Sequence, residues 1–260
     1  MEQLKIDLAG TSVPIAYSTQ GTGETILFVH GWAHTREIWC QVSPSIAKLG
    51  FRTISIDLPG FGESPVVPHH MRNIGSYSEI LAKVIEVVER KERVRAVIAD
   101  SLGARIAFAL FTSGFRSSCS RLLLSGCPFD GLPPLLVALE KCRIVRIALS
   151  IVQALPSGLA KATIRLLSTY TMFKRVPDME PIYNGIFRSD PSTADRFLRE
   201  LNHPEKEFSD TKYNRIQMLF VRGHHDRVVT GGTQKKVGDK GSCILSRVAL
   251  RRTYTDVGGA

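Results

Sequence analysis

Three short stretches carry side chains able to do nucleophilic chemistry. "ADSLG" (99–103) places a serine between an apolar run and a helix-like pattern. Small residues at Ala99 and Gly103 let a strand and a helix approach closely while Ser101 projects from the bend. At a helix N-terminus the backbone dipole favours the negative charge that develops on an attacked carbonyl oxygen. "HGWAH" (30–34) follows another apolar run, and the amides of Trp32 and Leu102 could point at one such oxyanion. "GHHDRVV" (223–229) puts Asp226 just past a third run. Each stretch also has a plainer reading: an N-cap serine, a turn after a strand, a strand-ending aspartate.

Chemistry of this kind needs rigid elements to aim it. "LKIDLAGTSVPIAYSTQ" (4–20) reads as two strands around an Ala-Gly-Thr-Ser turn. Strands are further expected at 24–31, 52–60, 93–100, 120–126 and 216–223, with a short last one in "VALRRTYTDVGGA" (248–260). "CQVSPSIAKLG" suits a helix closed by Gly50. Ile80, Val84, Val87 and Val88 share one face of a helix over 76–91, with Ser76 as its N-cap, and 102–113 forms another helix. Alternating strands and helices predict a mostly parallel sheet covered on both faces. In such a sheet the three candidate stretches meet at the carboxyl ends of the strands, where ligands bind. Over 128–210 the alternation lapses into Leu- and Ile-rich helical pattern punctuated by prolines. This stretch reads as an inserted helical cap, with 1–127 and 211–260 forming the core.

Composition narrows the function classes. The 260 residues are 43% hydrophobic and 22% charged, with a net charge of +10, as expected of a globular chain. The basic residues are dispersed and accompany no nucleic-acid motif, so no nucleic-acid partner is expected. Five cysteines without a C-x-x-C pair suggest neither a disulfide framework nor a metal site. "DLPGFGES" (57–64) lacks the P-loop pattern and is not read as a phosphate cradle. The N-terminus shows no signal pattern. The longest apolar stretch is broken by Glu140, Lys141, Arg143 and Arg146, so no transmembrane segment is expected and a cytoplasmic setting is.

"FVHGWAH", "DLPGFGESP", "ADSLGARIA" and "VRGHHDRVV", in this order, resemble the α/β-hydrolase family, in particular its capped single-domain members. The resemblance covers about residues 24–234 and is weak in the cap. It implies Ser101 as nucleophile, Asp226 as the acid, and the Trp32 and Leu102 amides as the oxyanion hole. The 57–64 stretch becomes a structural turn, and no metal or organic cofactor is called for. His30, Gly31, His34 and Asp100 are further residues expected around the pocket. The implied reaction is hydrolysis of a carboxylic ester or related acyl bond in a small-molecule substrate, through an acyl-enzyme. A serine at the nucleophile position argues against relatives that use an aspartate there, and leaves carbon–carbon bond hydrolysis open.

Two positions depart from the family pattern. Ala99 stands where the first elbow glycine is usual. More seriously, the family's base is a histidine beyond the acid, and none follows Asp226. The expectation is a chain that stops short of this histidine, or whose reading frame shifts before it. His203, His34 and His225 are candidate substitutes. Losing the base of a Ser-His-Asp unit costs on the order of a million-fold in turnover, so the 260 residues are expected to bind substrate and turn it over poorly. A non-catalytic binding or scaffold role on the same fold is the rival reading. The basic charge and apolar cap raise a third, association with a lipid surface.

Overall fold

A computed structural model describes residues 2–8, 10–129, 131–132, 137–138, 144–171, 178–202, 216–223 and 243–248. Strands β1 (Glu2–Leu8) and β2 (Thr11–Gln20) form an antiparallel hairpin at one edge of the sheet. β3 (Thr25–Val29), β4 (Arg52–Ile56), β5 (Val94–Asp100), β6 (Arg121–Ser125), β7 (Gln217–Gly223) and β8 (Cys243–Val248) run parallel to one another, and β2 joins β4 antiparallel. The eight strands lie in the order β1-β2-β4-β3-β5-β6-β7-β8.

All five residues of β3 are buried, as the unbroken apolar run predicts for a strand covered on both faces. The helices between the first parallel strands are α1 (Ser43–Lys48), α2 (Ile74–Glu89) and α3 (Ser101–Thr112). The chain steps one way from β3 to β4 and the other way from β4 to β5 and on to β6. Right-handed crossovers in opposite directions put α1 on one face of the sheet and α2 and α3 together on the other. Between β6 and β7 lie four described helices: α4 (Ile144–Ala154), α5 (Ser157–Thr171), α6 (Glu180–Phe187) and α7 (Pro191–Asn202).

One sequence expectation needs correction. The N-cap of α2 is Asn73, whose Oδ1 accepts from the Ser76 amide at 2.9 Å. Asn73 is extended at φ −148° and so stands half outside the helix, whereas Ser76 already lies in the first turn. Of the strand expected over 248–260 the described residues hold only the first position, which ends β8 (Cys243–Val248), in register with Met218–Gly223 of β7. Val248 alone is shared with the expected stretch, and 249–260 lie outside the described residues.

Candidate active site

The strand order turns around at β3. The chain leaves β3 for β4 on one side, and β5 takes the place on the other side. The crevice between the carboxyl ends of β3 and β5 is therefore the topological switch point, the site such sheets offer to ligands. Val29 pairs with Ala99 in register, so the loops after both strands start at the same height. "HGWAH" and "ADSLG" thus face each other across the switch point.

No loop separates β5 from α3. Asp100 is still extended, at φ −116° and ψ 139°, and Ser101 already opens the helix. The bend is made at Ser101 itself, which takes φ +46°. Among the described residues only Ala33, at φ +52°, is another non-glycine with positive φ. Such backbones cost about 1–3 kcal/mol each and persist where the surroundings enforce them. The enforcement at Ser101 is visible in Gly103. A Cβ there would stand 2.5 Å from the His30 carbonyl oxygen and 2.8 Å from that of Val29. The first turn of α3 thus lies directly on the end of β3. Ser101 remains half-buried, not sealed. As a residue of the first helical turn, Leu102 has an amide with no intrahelical acceptor.

Gly31 gathers the expected pocket residues. A Cβ on it would lie 2.7 Å from Asp100 Oδ2, 3.1 Å from Ser101 Cβ and 3.4 Å from His34 Nδ1. The two histidines of the turn differ in what their nitrogens do. His30 is fully buried, its Nε2 accepting from the Leu58 amide at 2.9 Å. Its Nδ1 must then carry the proton, donated to the Gly31 carbonyl at 2.7 Å. Burial pulls its pKa down, and both ring nitrogens are spent on fixing the turn. The Nδ1 of His34 is shut off from solvent and has no hydrogen-bond partner among the described residues. Burial, helped by neighbouring His30, pulls its pKa to about 4, so the ring is neutral at pH 7.

The 57–64 stretch is held by its own polar network. Asp57 is fully buried. It accepts from the Arg36 amide at 2.6 Å and the Glu63 amide at 2.9 Å, and pairs with the Arg36 guanidinium, which also reaches Glu63. Gly62 is packed against this carboxylate, a Cβ there falling 2.2 Å from Asp57 Oδ2. Arg36 is the partner that sequence reasoning missed, since nothing in "HTREIW" marks it as the cation for a motif some twenty positions on.

The helices between β6 and β7 reach both loops. The Trp32 indole donates to the Ala194 carbonyl in α7 at 2.7 Å. Gly185 in α6 lies on the β3 turn, where a Cβ would meet the Ala33 carbonyl oxygen at 2.4 Å and His34 Cα at 2.8 Å. Gly62 donates to the Arg188 carbonyl at 2.9 Å, and Asp190 to that of Gly60 at 2.8 Å. Asp226, His203, His224 and His225 lie outside the described residues. Among the described residues no cluster of His, Cys, Asp and Glu suits a metal ion.

Comparison with known proteins finds the same architecture elsewhere. A thermophilic esterase from Thermogutta terrifontis superposes with a TM-score of 0.72 at 19% identity, over 96% of this chain and 90% of that one. An esterase from Exiguobacterium antarcticum superposes at 0.70 with 15% identity, over 94% and 89%. These show a shared fold. In sequence, 135 residues are 29% identical to a 2-hydroxy-6-oxononadienedioate/2-hydroxy-6-oxononatrienedioate hydrolase of Escherichia coli. That match takes in 50% of this chain and 45% of the relative, less than half its length. Residues 26–250 match the family model described as the alpha/beta hydrolase family, and the chain belongs to that family.

Proposed function

We propose that this alpha/beta hydrolase acts on carboxylic esters or related acyl bonds, with Ser101 as its nucleophile. The observation carrying this reading is the left-handed backbone of Ser101 at the carboxyl end of β5, with Gly31 of the β3 loop against it. In this mechanism Ser101 Oγ attacks the carbonyl carbon, and its proton passes to a base. The Trp32 and Leu102 amides donate to the resulting oxyanion, each such donor being worth about 2.7–4 kcal/mol in the transition state. Collapse expels the alcohol, and water then clears the acyl-enzyme. Asp226 is the acid that would orient the base. Residues 128–210 form a lid, in keeping with the contacts of Trp32 and Gly185. A cytoplasmic setting goes with this reading, and among the described residues no helix is long and apolar enough to cross a membrane.

The base is the weak point of the 260-residue chain. No histidine lies between Asp226 and residue 260, and of the candidate bases His203, His34 and His225, His34 alone is among the described residues. Its Nδ1 has no partner there, but a nitrogen with a pKa of about 4 is a poor proton acceptor at neutral pH. The chain is therefore expected to acylate slowly. Likeness to the Escherichia coli dienedioate hydrolase supports a second reading, carbon–carbon bond hydrolysis at the same serine.

Hydrolysis of p-nitrophenyl acyl esters, with and without added imidazole as a soluble base, tests the proposal. The expected result is a low rate that imidazole raises by about tenfold or more, lost in Ser101→Ala. Turnover no greater than that of Ser101→Ala for every ester overturns the ester reading. Cleavage of a 2-hydroxy-6-oxo-dienoate under those conditions then selects the second reading, and no cleavage of either selects a scaffold role.

A further inference from the structure

The helices between β6 and β7 grip the β3 turn at two points. Gly185 of α6 is buried, and a Cβ there would stand 2.4 Å from the Ala33 carbonyl oxygen, 3.2 Å from the Ala33 carbonyl carbon and 2.8 Å from His34 Cα. Those neighbours are backbone, so any side chain at 185 would have to move the turn. In α7 the Ala194 carbonyl accepts from the Trp32 indole at 2.7 Å. Three consecutive residues of the turn, Trp32, Ala33 and His34, are thus fixed from outside.

The turn needs this support. Ala33 sits at φ +52°, a region that residues with a Cβ rarely adopt. Within the turn the His34 amide reaches the Gly31 carbonyl at a long 3.3 Å. Strained backbone persists where its surroundings over-determine it, and release of Ala33 would rotate the peptide planes of the turn. The insertion is itself fastened at this corner. Asn184 and the Arg188 guanidinium both donate to the Glu37 carboxylate at 2.8 Å. The Gln153 amide group of α4 spans the step from α6 to α7, donating to the Ile186 and Ser189 carbonyls at 2.8 Å each. With the backbone bonds of Arg188 and Asp190 to the 57–64 loop, this corner acts as a brace.

We propose that the α6–α7 corner positions the oxyanion turn, Gly185 acting through Ala33 and the Trp32–Ala194 hydrogen bond acting on the residue whose amide is the donor. The proposal rests on the reading of Ser101 as nucleophile and of the Trp32 amide as an oxyanion donor. Gly185 is then a positioning residue for acyl transfer, set in the insertion rather than in the core.

Two glycines of the insertion give a matched test. Gly185→Ala drives a methyl group into the turn, whereas Gly158→Ala on α5 places one where nothing lies within 4 Å. Trp32→Phe removes the indole N–H and keeps the amide, and it carries the test where Gly185→Ala fails to fold. Hydrogen exchange of the full chain, read on peptides covering the β3 turn, should speed up at least about tenfold in Gly185→Ala and in Trp32→Phe. Exchange in β4 should stay as it is, and Gly158→Ala should change neither. In saturation kinetics with p-nitrophenyl esters and added imidazole, Ser101-dependent kcat per folded molecule should fall about 10- to 100-fold in both turn variants, as for a misplaced oxyanion donor, with KM within about twofold. A merely structural role would lower the folded fraction and leave kcat per folded molecule unchanged, and that result overturns the proposal. Turn exchange unchanged in both variants also overturns it. Wild-type turnover no greater than that of Ser101→Ala marks failure of the nucleophile reading instead. Faster turn exchange in the two variants would then still support the brace, and unchanged exchange would refute it.

Discussion

Two turns of this molecule, one around Asp57 and one around Gly31, differ in what becomes of their polar atoms. Around Asp57 the accounts close. Both carboxylate oxygens are engaged, the Arg36 guanidinium is shared with Glu63, and positive φ falls on glycines, at Gly60 and Gly62. Around Gly31 they stay open. Positive φ falls on Ala33 and Ser101, which have side chains, and the Nδ1 of His34 is buried without a described partner. A turn built for stability satisfies its groups, whereas one built for a ligand carries strain and leaves groups unsatisfied. The same contrast is the one expected between a structural "DLPGFGES" and an "ADSLG" that carries the proposed nucleophile.

Removing the acid of the closed turn should have the largest effect on stability. Asp57→Ala removes the buried carboxylate that pairs with Arg36 and accepts from the Arg36 and Glu63 amides, and should cost about 3–5 kcal/mol, measured by urea denaturation. Whatever fraction stays folded should retain the reactivity of Ser101, which would sharpen the contrast. Gly103→Ala drives a methyl group into the His30 carbonyl and should cost about 1–3 kcal/mol, as overpacking does. Unlike Asp57→Ala, it should also lower reactivity per folded molecule, because it moves Ser101 away from the β3 loop.

The open turn should also be sensitive to acid. An unfolded histidine takes up a proton near pH 6.5, while folded His34 waits until about 4. As pH falls through that window the unfolded state binds the proton first, so stability drops by up to about 1.4 kcal/mol per pH unit from this group. His34→Leu should flatten the slope, as read from melting temperatures between pH 4 and 7. An unchanged slope would show that His34 is not the neutral ring described above. The smallest effect runs the other way. Ser101→Gly relieves the left-handed strain and should raise stability by about 1 kcal/mol while abolishing reactivity. A loss of stability in that variant would break the contrast.

Much of this was legible in the residues. Apolar runs closed by Gly or Pro located β3 and β4, and a run ending at Ala99-Asp100 located β5, because buried parallel strands need such runs. The small residues at Ala99 and Gly103 announced the tight bend, because only small side chains fit where α3 crosses β3. Local chemistry could not reveal Arg36, which meets Asp57 only after the sheet has aligned their loops. It set His34 rather than His30 among the candidate bases, but could not show what the fold places beside each ring. Asn73 displaced Ser76 as N-cap because both residue types favour the role and the helix starts a turn earlier. Cys243–Val248 is less regularly patterned than the strands around the candidate site, and pairing with β7 decided its register.

The most direct test of the central claim is prolonged labelling with a fluorophosphonate, read by intact mass and peptide mapping. With the left-handed, half-buried Ser101 as the proposed nucleophile, the expected result is one adduct, on the peptide containing Ser101, absent from Ser101→Ala and formed faster with added imidazole. An adduct mapping to another residue, or none even with imidazole present, would contradict it.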